Sequence, residues 1–153
     1  MKNALLKIKV MKAKKFDLKA TDSEFTKVKI TSSETAEKYI RQFYGDDLEI
    51  FESFFILLLN RANETIGYAK ISQGGIVGTV VDKKILLKYV VESLASGVIL
   101  AHNHPSGNIN PSEADLRITR EIKELCNLID SPVLDHVILT ADSFYSFADN
   151  GKL

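Results

Sequence analysis

Two uninterrupted apolar runs constrain this chain most: Phe54-Phe55-Ile56-Leu57-Leu58-Leu59 and Val98-Ile99-Leu100-Ala101. Neither alternates with polar residues, so neither suits a strand with one wet face. Both read as strands covered on both sides, which requires layers of other elements above and below them. Those elements are legible nearby. Thr31-x-x-Glu34 has capping-box spacing and predicts a helix to about Tyr44, with Gly45 as its stop. Asn60–Asn63 predicts a polar turn and Thr65–Ser72 a return strand. Gly74, Gly75 and Gly78 punctuate the next stretch, and Asp82 can cap a helix to about Ala95. Ser112 opens another, to about Ile129, in which Ile118, Ile122, Leu125, Cys126 and Ile129 keep a helical period. Leu134–Leu139 and Phe144–Phe147 read as further strands. Strands and helices alternate, which predicts an α/β layer fold.

Composition excludes several alternatives. The 153 residues suit one domain with a sizeable core. Twenty basic and twenty acidic side chains leave no formal net charge, which argues against a protein that mainly coats nucleic acid. Cys126 stands alone, so neither an intrachain disulfide nor a cysteine-rich zinc knuckle can form. The longest apolar run is too short to span a bilayer, and MKNALLKIKV lacks the features of a signal peptide. The expectation is a soluble cytoplasmic protein with no membrane partner. Residues 1–30 form an extension to a domain at 31–153. Seven lysines against Asp17 in the first twenty residues suit a lysine-protected edge strand at Leu5–Val10, or a solvated tail, better than a nucleic-acid arm. No aromatic stacking surface interleaves with those lysines.

Chemistry concentrates where the second apolar run ends. A strand sends alternate residues to one face, so His102 and His104 point the same way if the chain stays extended. On the helix that follows, three positions before Ile118 lies Asp115. A carboxylate on a buried helix face is costly unless it is paired or metal-bound, and the first helical turn lowers that cost. Two histidines and a carboxylate match catalytic zinc sites, which leave the fourth position to water. Each residue also has a plain structural reading. Ser112-x-x-Asp115 is a capping box with Asp in place of Glu, His102 a core histidine, His104 a loop residue. The combined pattern favours a metal. The letters His102-Asn103-His104 are not the nuclease motif they spell, because that motif is dispersed over several elements.

The spacing His102-x-His104, seven residues, Ser112-x-x-Asp115 is similar to the JAMM motif of MPN-type metalloproteases. AHNHPSGNINPSEAD, LDHVIL, YSFADNG and NRANETIGYAKISQGGIVGTVVDKK resemble the RadC-like JAB branch more closely, over about residues 31–153. The resemblance implies a JAB/MPN, cytidine deaminase-like architecture of class α/β (α+β), with a mixed central sheet flanked by helices. It implies a zinc-dependent metallopeptidase or isopeptidase acting on a peptide or protein. His102, His104 and Asp115 hold Zn2+ by this resemblance, Glu52 is general acid/base, and Ser112 stabilises the oxyanion. Relatives that cleave ubiquitin often carry Ser or Thr where this chain has Asn103. A DNA-repair accessory and a non-catalytic MPN interaction module are the alternatives. An upstream helix-hairpin-helix region, usual in RadC-like proteins, has no counterpart in residues 1–30. Asp135-His136 reads equally as a support for a ligand or as core. Oligomeric state is left open.

Overall fold

The structure is a computed structural model that describes residues 13–15, 19–74 and 80–153. Among them, five strands form one mixed sheet: β1 (Ser53–Leu59), β2 (Thr65–Gln73), β3 (Gly97–Asn103), β4 (Val133–Leu139) and β5 (Phe144–Ser146). Their spatial order is β2-β1-β3-β4-β5. β3 and β4 run parallel, and every other neighbouring pair is antiparallel. Three α-helices flank the sheet: α1 (Ser33–Arg41), α2 (Lys83–Glu92) and α3 (Glu113–Asn127). The α/β class and mixed sheet expected from the sequence are what the chain adopts.

The two apolar runs are β1 and most of β3, and every residue of both strands is buried. Strand parity then splits the core. Phe54, Ile56, Leu58, Val98 and Leu100 pack with Leu86 and Val90 of α2 and with Ile122 and Cys126 of α3. Phe55, Leu57, Leu59, Ile99 and Ala101 face the other way, against Ala36, Tyr39 and Ile40 of α1. Burying each large aliphatic side chain contributes about 1.5–3 kcal/mol. The helix α3 is the crossover between parallel β3 and β4, so its N-terminus lies at the C-terminal end of β3. That arrangement is where open α/β sheets commonly place ligands.

Several boundaries differ from expectation. The cap of α1 is Ser32 rather than Thr31, its hydroxyl accepting from the Thr35 N–H at 3.2 Å. The Ile30 N–H donates to the Asn63 carbonyl at 2.8 Å, which keeps the chain extended up to that point and delays the helix. α1 ends before Tyr44, and Gly45 opens a short 3-10 turn at φ 52°. α2 stops short of Ala95 because Leu94 adopts φ 53°, a left-handed conformation that cannot continue a helix. α3 ends at Asn127, and Ile129 lies 38 % exposed instead of on the buried face.

The strand expected at Leu5–Val10 lies outside the described residues. Further along the extension, Phe25 packs on Tyr39, Phe43 and Tyr68, with ring centroids 6.4, 5.6 and 5.5 Å away. No described helix is long and apolar enough to cross a membrane.

Candidate metal centre

β3 remains extended past its last paired residue because the His104 N–H donates to the Leu139 carbonyl at 2.8 Å. His102 and His104 therefore keep the same parity, and their Nε2 atoms lie 2.9 Å apart. Across from them, Asp115 Oδ1 is 3.1 Å from His102 Nε2, and Asp115 Oδ2 is 3.6 Å from His104 Nε2. The three residues offer ligand atoms within 4.8 Å of one another, the one such cluster of metal-binding side chains among the described residues.

Ser112 and Asp115 form the reciprocal capping box that the plain reading anticipated. The Ser112 N–H and hydroxyl both donate to Asp115 Oδ2, each at 2.7 Å, and the Asp115 N–H donates to the Ser112 hydroxyl at 3.2 Å. The cap and the metal reading are thus compatible. Two donors on Oδ2 fix the carboxylate plane and leave Oδ1 turned to His102. The first turn of α3 adds its dipole to stabilise the negative charge.

The hydrogen bonds behind the histidines decide whether a cation fits. The Thr119 hydroxyl donates its one proton to the Asp115 carbonyl at 2.6 Å. It can then only accept from His136 Nδ1, also 2.6 Å away. A neutral His136 protonated at Nδ1 has a bare Nε2, which must accept from His102 Nδ1 at 2.8 Å. The proton of His102 is thereby placed at Nδ1, and its Nε2 carries a lone pair. His104 reaches the same state by a shorter route, because its Nδ1 donates to the Asn108 carbonyl at 2.5 Å. With both rings neutral, two imidazole lone pairs and a carboxylate oxygen converge with no proton among them. Such a set repels itself unless a cation sits at the centre, so these residues fit a metal ion.

The electrostatics agree. Burial raises the Asp115 carboxyl pKa, but the His102 and His104 rings and the Ser112 hydroxyl outweigh it and hold the group far below the usual carboxylate range. Burial lowers the His104 pKa, yet Asp115 and the Asn108 carbonyl outweigh it and raise that pKa above the ordinary value. Both shifts describe a centre that favours positive charge. Behind it, burial above all keeps His136 neutral, well below the ordinary histidine range.

Of the two readings open for Asp135-His136, support of a ligand fits the ring of His136, which bonds His102, while the Asp135 carboxylate secures the chain around it. It accepts from the His136 N–H at 2.7 Å, the Ala148 N–H at 2.9 Å and the Ser146 hydroxyl at 2.6 Å. The ring of His136 serves His102. Thr119 was missed entirely, because periodicity marks apolar residues and Thr119 is polar. Its one available signal was its place four residues after Asp115, one helical turn along the same face. Cys126 is buried on the apolar face of α3, where burial pushes its thiol up to about 11.

The centre opens into a cleft of about 760 Å³ lined also by Glu52, Phe54, Val80, Asn108 and Arg117. Glu52 reaches that wall by parity. Phe54 pairs with His102, their rings stack at 6.0 Å, and Glu52 stands two residues before Phe54.

Comparison with known proteins agrees with the strand–loop–helix motif. The RadC-like JAB domain family matches residues 30–152. A UPF0758 protein of Flavobacterium johnsoniae is 45 % identical over 123 residues, covering 80 % of this chain and 53 % of the relative. One from Coprothermobacter proteolyticus is 37 % identical over 156 residues, 94 % of this chain and 66 % of the relative. Another, from Vibrio cholerae, is 39 % identical over 124 residues, 81 % of this chain and 77 % of the relative. The chain thus spans little more than half of the first of these relatives and about two thirds of the second.

Proposed function

The chain belongs to the RadC-like JAB domain family, and from that premise we propose that it is a zinc-dependent hydrolase cleaving an amide bond, peptide or isopeptide, in a peptide or protein substrate. The observation that carries this reading is the convergence of the His102, His104 and Asp115 lone pairs in an open cleft that also holds Glu52. Zinc bound there would act as a Lewis acid and lower the pKa of a water to roughly 7.

The residues around it divide the remaining work. His136 and Thr119 keep the His102 lone pair turned to the cleft. Asn108 does the same for His104 through its carbonyl. Glu52 takes a proton from the attacking water on its carboxylate and returns it to the leaving nitrogen, so the group ends the cycle ionised as it began. Ser112 supports the Asp115 carboxylate through its N–H and hydroxyl. Its hydroxyl can also serve the oxyanion of the tetrahedral intermediate by rotating from Oδ2, because the backbone N–H remains on that oxygen.

The test joins metal content to cleavage. Purified protein should carry about one zinc per chain, and His104→Ala should lose it. Glu52→Gln should keep the zinc and cut a peptide library about 10²–10⁴-fold more slowly. A zinc-free wild-type protein under zinc-replete conditions would end the metallohydrolase reading. Zinc without cleavage would leave a metal-stabilised interaction module.

A further inference from the structure

Asn103 sits between the two histidines and points to the opposite face of β3. It is fully buried, and its side chain uses its whole amide. Oδ1 accepts from the Ser53 N–H at 2.8 Å. The Nδ2 group donates to the Phe51 carbonyl at 2.8 Å and to the Leu48 carbonyl at 2.6 Å. Two of these three partners are the residues immediately before and after Glu52.

That bracketing has a geometric consequence. The peptide group between Phe51 and Glu52 is held by its carbonyl. The peptide group between Glu52 and Ser53 is held at its N–H by Asn103, and at its carbonyl by the Gly74 N–H at 2.8 Å. With both flanking peptide planes fixed, φ and ψ of Glu52 are fixed, and so is the direction of its Cα–Cβ bond. The Tyr44 hydroxyl adds a longer bond to the Ser53 carbonyl at 3.3 Å.

We propose that Asn103 is the positioning residue of Glu52, aiming that carboxylate at the metal centre by clamping the backbone on either side of it. This rests on the reading of Glu52 as the base. The chemistry favours Asn at this position. Planar, with two donors and an acceptor, it can serve three backbone groups at once, whereas a Ser or Thr hydroxyl has one proton and a shorter reach. The tripeptide His102-Asn103-His104 thus supplies metal ligands on one face and the clamp for the base on the other. A shift of the 48–53 segment relative to β3 would move base and ligands apart.

The experiment uses NMR on the 153-residue chain, which needs neither substrate nor metal. In the wild type, both Asn103 side-chain amide protons and the Ser53 amide should exchange slowly with solvent. In Asn103→Ser, Ser53 should exchange at least about 100-fold faster and the backbone order of Glu52 should fall, while the Ile56 and Leu100 amides stay protected. Asn103→Asp keeps the acceptor but loses both donors, so Ser53 should stay slow while Glu52 loosens. Rapid exchange of the wild-type Asn103 side-chain protons overturns the proposal even if the variants do not fold. So does an undiminished Glu52 order in a folded Asn103→Ser.

A catalytic arm separates the clamp from the base it serves. Asn103→Ser should retain about one zinc, keep KM and lose about 10²-fold in kcat on a cleaved library peptide. Combined with Glu52→Gln it should be no slower than Glu52→Gln alone, because the two act as one unit. A multiplicative loss in the double variant overturns the clamp. Full activity of Glu52→Gln alone overturns the reading of the base, and the exchange measurements then still judge the clamp.

Discussion

Strand β3 has two halves that are equally buried and differently held. Val98, Leu100 and Ala101 are fully buried among other apolar side chains, and Ile99 nearly so. His102 is 1 % exposed and Asn103 0 %, yet each also meets specific acceptors and donors. The first half needs volume and parity, which many sequences can supply. The second half needs partners, because an unpaired buried polar group costs about 1–3 kcal/mol. Those partners come from Leu48, Phe51 and Ser53 for Asn103 and from His136, itself held by Thr119, for His102, all distant in sequence. The core of this sheet is therefore tolerant at one end and exacting at the other, and the exacting end holds residues that could bind a metal.

The largest expected effect breaks the apolar half. Leu100→Ala should destabilise the fold by about 2–5 kcal/mol in denaturant melts, by lost burial and a residual cavity. Zinc affinity of the fraction still folded should hardly change, since Leu100 contacts no ligand through a hydrogen bond.

A smaller effect breaks the polar half without changing volume. Thr119→Val removes the hydroxyl that accepts from His136 and thereby sets the His102 tautomer. Zinc affinity by chelator competition should fall about 10–100-fold, as when other supports of metal ligands are lost. Thr119→Ser should restore most of it. An unchanged affinity in Thr119→Val would show that the tautomer is set elsewhere.

The smallest effect is a difference in pH response. The His136 pKa is depressed in the folded state, above all by burial. The unfolded chain therefore binds a proton there near pH 6.5 that the folded chain refuses. This stability is present above about pH 6.5 and is lost as pH falls, by at most about 1.4 kcal/mol per unit. His104, with its raised pKa, works in the opposite sense, but its contribution builds as pH falls toward about 6.5 and is already complete below it, so it does not offset the His136 loss on the acid limb. In the metal-free protein, His136→Gln should flatten the acid limb, whereas Leu100→Ala should shift it in parallel. Identical acid slopes in wild type and His136→Gln would remove His136 from this account.

Much of this was legible because it is local. The apolar runs foretold β1 and β3, since continuous hydrophobicity demands cover on both faces. Ser112 and Asp115 showed a helix start, and His102 and His104 a shared face, because strand and helix periods are properties of a short segment. Cap positions were less legible. Thr31 and Ser32 both suit an N-cap, and the choice fell to Ser32 through a bond from Ile30 to Asn63, outside the helix.

The sequence by itself determined the fold class and the three residues that can hold a metal, because alternation, capping and i, i+2 spacing are written within a few neighbours. Only the tertiary structure decided what aims them. Register places Leu100 beside His136 and Phe54 beside His102, and register is a relation between strands that no single strand encodes. From it follow the line from Thr119 through His136 to His102, the parity that brings Glu52 to the cleft, and the grip of Asn103 on the backbone around it.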